Sequence, residues 1–139
     1  MTNPDVVARR LLALNDALTE LARPACGDAE ALVRDAMLRA AVERWLQVAI
    51  EAAIDIAHHV VAARGWTPSP TARSAFTTLA GHGLLEPALA TRLARAAALR
   101  NVLVHEYIAV DLVQLAHIVA HDLDDLRTFA AAAVTWIST

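Results

Sequence analysis

Apolar residues recur along the 139-residue chain at helical spacing, three or four positions apart. No stretch alternates long enough to require a β-strand. Punctuation is sparse, at Pro24 to Gly27, Gly65 to Pro70 and Gly81 to Pro87, where proline and glycine end or redirect helices. Five helices follow from these marks. The first runs from about Pro4 to Ala22, with Asn3 as N-cap and Pro4 at the first helical position, where a missing N–H is tolerated. A long second helix spans roughly Asp28 to Arg64 and stops at Gly65. A third, about Thr71 to Ala80, is closed by "GHG", and a fourth begins near Glu86 and Pro87. The fifth runs from Asp111, a candidate cap, to Ile137. The expectation is an all-α, single-domain antiparallel helical bundle of about five helices over residues 1–139.

Between Met37 and Val61 the second helix is apolar nearly all round. Such a helix is central in the bundle or shared with a second copy. One central helix plus a homodimer interface is therefore expected.

Composition narrows the class. The apolar fraction is 57%, above the roughly 45–50% usual for soluble domains, and much of the excess is alanine, a helix former. No uninterrupted apolar run approaches the ~18 residues of a membrane span, and "MTNPDVVARR" lacks the charged start and apolar block of a secretory signal. One cysteine, Cys26, excludes an internal disulfide and is expected to be a small buried residue. A cytoplasmic protein with no membrane partner is the expectation.

All twelve basic residues are arginine, and the net charge is −3. The whole chain is thus no general sink for nucleic acid, but the distribution is uneven. Residues 86–100 set Arg92, Arg95 and Arg100 against Glu86, a net +2, while residues 106–139 set Arg127 against five acids, a net −4. The basic stretch leads into "RNVLVHEY", residues 100–107, which crowds a cation, an amide, an imidazole and a phenol together. Valine gives it strand-like composition, yet the preceding "EPALATRLARAAALR" is helical and no turn residue intervenes. As a helix, Tyr107 falls about 20° from Arg100, and Asn101 about 40° from His105. The four polar groups then share one broad arc, with Val102, Leu103 and Glu106 opposite. Arg100 and His105 are still about 140° apart, a spacing that favours a groove at a dimer interface over a tight pocket in one subunit.

With its R-x4-H-x-Y spacing, "RNVLVHEY" resembles the motif of HepT-like proteins in the HEPN superfamily. "ERWLQVAIEAAIDIAHHV" is similar to the long family helix, and "SPTARSAFTTLAGHGLLEP" to the segment after it. The resemblance implies the toxin of a type VII-like toxin–antitoxin pair, a metal-independent endoribonuclease acting on RNA. Its partner would be an MntA-type nucleotidyltransferase antitoxin that takes AMP from ATP. Carried over by position, Arg100 and His105 form the catalytic pair and Tyr107 accepts AMP. No cofactor is implied for the chain itself. A non-catalytic helical subunit that binds nucleotides or a nucleotidyltransferase is the alternative, mildly favoured by the net acidity.

RNA carries its own nucleophile, the 2′-hydroxyl, so its cleavage asks for a proton acceptor near neutral pH and a fixed cation for the phosphate. Histidine and arginine suit those two tasks. Asn101 is placed to orient the phosphate or His105, or is a helix-surface amide. Arg44, Gln47, Glu51, Asp55 and His58 or His59 step along one face of the second helix. Glu51 or Asp55 there either orients His105 or Arg100, or makes a surface ion pair. Asp55 and His58 are spaced like half of a di-metal motif, but the second such pair is missing. His117 and His121 face one way without an evident third ligand, and no metal site is expected. His82 reads as a turn residue. Arg92 and Arg95 either extend a positive track for phosphates or form a solvated face.

Overall fold

The computed structural model describes residues 4–105 and 111–137, together with the side chains from Asp5 to Leu103 and from Asp111 to Ile137. Every regular element among them is helical. In chain order they are α1 (Pro4–Leu21), a 3-10 turn (Pro24–Gly27), α2 (Ala29–Arg34), α3 (Ala36–Ala63), α4 (Ala72–Gly81), α5 (Pro87–His105), α6 (Leu112–His121) and α7 (Leu123–Ile137).

Seven α-helices thus stand among the described residues where five were expected, and two aspartates account for the difference. Asp35 takes an extended backbone (φ −121°, ψ 99°). Its carboxylate accepts from the N–H groups of Met37 and Leu38 at 3.0 and 3.1 Å. An aspartate able to bond N–H groups two and three residues ahead offers the chain a fresh helix start, and here it divides α2 from α3. Asp122 makes the second break as the C-cap of α6 (φ −107°, ψ −1°). Next to it α7 begins with Asp124 and Asp125 in its first turn, where the helix dipole favours carboxylates. Neither break carries glycine or proline, so apolar periodicity runs straight through both.

The other expected boundaries hold to within a residue. Gly65 sits at φ +69° beyond α3, and the Gly65 and Trp66 N–H groups donate back to the Ala62 and Val61 carbonyls at 3.1 Å each. Thr71 caps α4 in a reciprocal pair with Ser74. Asp111 caps α6 by accepting from Val113 and Gln114. The proposed cap Asn3 lies outside the described residues.

Helix α3 is the centre of the bundle, packed by α1, α4, α5 and α7, while α2, the 3-10 turn and α6 pack together as a smaller group. That group approaches closely at Gly27, where a Cβ would stand 3.2 Å from the Ala120 Cβ. From Ala49 to Val61 every residue of α3 is buried except Glu51, Asp55, His58 and His59. One copy of the chain therefore covers the apolar circumference of this stretch, and a second copy is not needed to explain it. By length and composition α3 is also the one described helix able to cross a membrane, but its apolar faces are taken up by its neighbours. Among the described residues no buried side chain is polar or charged. Residues such as Leu46, Ile50 and Ile56, at most 2% exposed, each contribute about 1.5–3 kcal/mol by leaving water.

Asp35→Ala removes the acceptor for two N–H groups and is expected to cost about 1 kcal/mol. A thermal melt followed by circular dichroism should show a midpoint several degrees lower with native helix content unchanged; an unchanged midpoint would show the cap to be idle.

Candidate active site

The covering of α3 leaves its polar residues little choice of direction. Glu51, Asp55 and His58 lie within about 60° of one another around the helix axis, and this stripe meets α5 where α5 carries Arg100. Nη1 of Arg100 stands 3.9 Å from Oε1 of Glu51, an ionic contact too long for a hydrogen bond. The same Oε1 accepts from Nε2 of Gln47 at 3.3 Å. The Arg100 Nε is buried and has no hydrogen-bond partner. With the two side chains 28% and 39% exposed, the pair adds little to stability. Glu51 stands beside the guanidinium without accepting a hydrogen bond from it.

Helix α5 is continuous through Arg100 and on to His105, so the helical alternative for this segment holds as far as its backbone is described. Leu103 is buried and Val102 half-buried, whereas Asn101 is exposed. These positions match the split between an apolar side and a polar arc. The side chain of His105, and Glu106 and Tyr107 altogether, lie outside the described residues.

Arg100 and Asn101 line a groove of about 790 Å³ together with Asp55 and His58 of α3, Arg73 of α4 and Arg95 of α5. Asp55 forms no ion pair with Arg100; its Oδ2 is 3.4 Å from Nε of Arg10 on α1. The two arginines of the expected positive track part company. Nε of Arg92 donates to both oxygens of Asp125 at 3.0 Å, tying α5 to α7, whereas Arg95 has no ion pair among the described residues and borders both this groove and a neighbouring cavity that Arg92, Asp122 and Asp125 also line. His58 and Arg73 likewise have no side-chain partner there. Arg73, in the first turn of α4, was not visible as a site residue, because only folding brings α4 against α5. Arg10 was missed for the same reason.

The remaining candidates lie elsewhere. His117 and His121 place their rings 4.6 Å apart on α6, and no group of three possible metal ligands gathers among the described residues. His82 stacks flat on Trp66, with centroids 3.7 Å apart, and closes the end of α4. Cys26 is buried with its Sγ donating to the Glu20 carbonyl at 3.6 Å.

The family model described as ribonuclease HepT-like matches residues 14–133, a span that holds α3, α5 and the whole octapeptide. The chain belongs to the HepT-like family. Among curated HepT-like relatives, the mRNA nuclease HepT of Shewanella oneidensis is 34% identical over 103 residues, covering 74% of this chain and 77% of the relative. The tRNA nuclease HepT of Aphanizomenon flos-aquae is 42% identical over 69 residues, 50% of this chain and 47% of that one. In three dimensions the chain is similar to the tri-AMPylated HEPN toxin of Shewanella oneidensis in complex with MNT antitoxin. The TM-score is 0.85 at 27% identity, covering 94% of this chain and 98% of the toxin.

Burial pushes the Cys26 thiol above its ordinary range, with nearby Arg23 acting against the shift and Glu20 adding to it. A raised pKa leaves less thiolate at any given pH, and the thiolate is the reactive form. At pH 8, iodoacetamide should label the native chain on the order of tenfold more slowly than the urea-unfolded chain. Equal rates would show that the thiol is not protected by the fold.

Proposed function

We propose that this HepT-like chain is the toxin of a toxin–antitoxin pair, a metal-independent endoribonuclease silenced by AMP transfer from an MntA-type nucleotidyltransferase antitoxin. The observation that carries the reading is Arg100, anchored by Glu51 with its Nε unpartnered, on a helix whose backbone runs on to His105 inside the ribonuclease HepT-like match. Two relatives add support: an mRNA nuclease, and a toxin whose structure is AMPylated and bound to its antitoxin.

In this mechanism the Arg100 guanidinium binds the scissile phosphate and offsets the charge that develops on its equatorial oxygens. His105 accepts the proton of the neighbouring 2′-hydroxyl. The 2′-oxygen attacks phosphorus, the bond to the 5′-oxygen breaks, and a proton returns to that leaving oxygen. The products are a 2′,3′-cyclic phosphate and a 5′-hydroxyl. The nucleophile comes with the substrate, so the chemistry asks for no metal or cofactor on the chain.

One His105 supplies only one of the two proton transfers. Arg100 and His105 are also about 140° apart on α5, so a groove shared by two copies presents a base from one and an acid from the other. The homodimer rests on this chemistry rather than on the apolarity of α3. Tyr107 is the AMP acceptor: its phenol oxygen displaces pyrophosphate from ATP on the transferase. The resulting phosphodiester places a negative charge and a nucleoside beside Arg100, where both compete with RNA. Glu51 positions Arg100, and Asn101 and Asp55 line the same groove.

A single experiment tests the scheme. The chain is incubated with RNA in EDTA, before and after treatment with ATP and its cognate transferase. Cleavage is expected from the wild type, with a loss of at least about 100-fold in His105→Ala. Treatment should silence the wild type but not Tyr107→Phe. A wild type that leaves RNA intact sinks the nuclease reading; silencing that persists in Tyr107→Phe removes the acceptor assignment.

A further inference from the structure

In a chain of net charge −3, the groove beside Arg100 runs against the average. Three arginines line it, Arg73, Arg95 and Arg100, against the single carboxylate of Asp55, and that carboxylate already faces Arg10. Arg73 and Arg95 have no side-chain partners among the described residues. Arg73 gains nothing from its place in the first turn of α4, where the helix dipole disfavours a cation. The α5 wall between Arg95 and Arg100 is built from Ala94, Ala97 and Ala98, so nothing larger than a methyl group rises from it. Along α5 the two arginines are about 7.5 Å apart in axial rise and sit at opposite edges of that wall.

We propose that this alanine-floored groove is the path of the RNA strand away from the cleaved bond, with Arg95 and Arg73 holding the phosphate next to the one bound at Arg100. The assignment rests on the nuclease reading and adds to it a second phosphate subsite within one subunit. Arg95 and Arg73 are binding residues; they lower the concentration of RNA needed without entering the chemical step. The alanine floor and the paired arginines make the subsite a reader of backbone charge rather than of base identity.

The test measures binding and turnover separately. Fluorescence anisotropy of a labelled single-stranded RNA is followed across a salt series, for wild type, Arg73→Ala, Arg95→Ala, the double variant and Arg92→Ala. Each of the first two substitutions should weaken binding on the order of tenfold. The double variant, which empties that one phosphate subsite, should flatten the log–log salt slope by about 0.7, the value per phosphate contact in a single strand. Arg92→Ala, whose guanidinium is committed to Asp125, should behave as wild type. Arg95→Lys, which keeps the charge, should recover most of the affinity and guards against a folding artefact. In turnover, Arg95→Ala should raise KM on an oligonucleotide with kcat unchanged, and leave a dinucleoside monophosphate, which has no second phosphate, unaffected. Wild-type affinity and salt slope in the double variant would overturn the subsite, even if cleavage itself is normal. Arginine-dependent binding by a chain that fails to cleave would keep the subsite and discard the nuclease reading.

Discussion

The burial of α3 is the constraint from which the other features follow. A helix of 28 residues with apolar side chains on most of its circumference is stable in water only when other helices cover it. Helices α1, α4, α5 and α7 do so within one chain. Complete coverage would strand the helix's own polar residues, because a buried carboxylate without a partner costs several kcal/mol. The polar residues are therefore gathered on one stripe, and the bundle leaves that stripe open. The groove at Arg100 is the seam that the packing cannot close.

This origin explains the electrostatics of the site. Glu51 and Asp55 cannot leave α3, so each meets an arginine from a neighbouring helix, Arg100 of α5 and Arg10 of α1. Both contacts are long and partly exposed, and neither does much to hold the fold together. Their effect is on orientation. Glu51 holds one end of Arg100, Gln47 holds Glu51, and the buried Nε of Arg100 is left with an unused donor. An unpaired buried donor is costly in the free protein. Among the described residues Arg73 and Arg95 at the groove make no ion pair, whereas Arg92 is spent on Asp125.

Much of this was legible in the sequence. The all-helical class follows from periodicity, the central helix from its apolar circumference, and the helical course of residues 100–105 from the helical segment before it and the lack of a turn residue. The stripe of Gln47, Glu51, Asp55 and His58 is equally visible, since positions three and four apart share a helix face. Periodicity does not report where a helix restarts without changing its apolar rhythm. Asp35 and Asp122 divide α2 from α3 and α6 from α7 through local side-chain and backbone preferences, leaving the pattern intact. Nor does it report which helices become neighbours. Arg10, Arg73 and Arg95 look alike as surface cations until folding sets the first against Asp55 and the other two along the groove. The same limit applied to the homodimer: from Ala49 to Val61 the apolar girth of α3 is satisfied inside one chain, and the separation of Arg100 from His105 on the helix is the other reason to expect a second copy.

The central claim is that the substrate's own 2′-hydroxyl is the nucleophile, with Arg100 and His105 serving it. It is tested most directly with an RNA oligonucleotide carrying one 2′-deoxy nucleotide immediately 5′ of a cleaved bond, compared with the all-ribose strand in EDTA. The expected result is loss of cleavage at that bond alone, with the remaining cut sites intact and every new end a 2′,3′-cyclic phosphate. Continued cleavage at the deoxy position, leaving a 3′-hydroxyl, would contradict it.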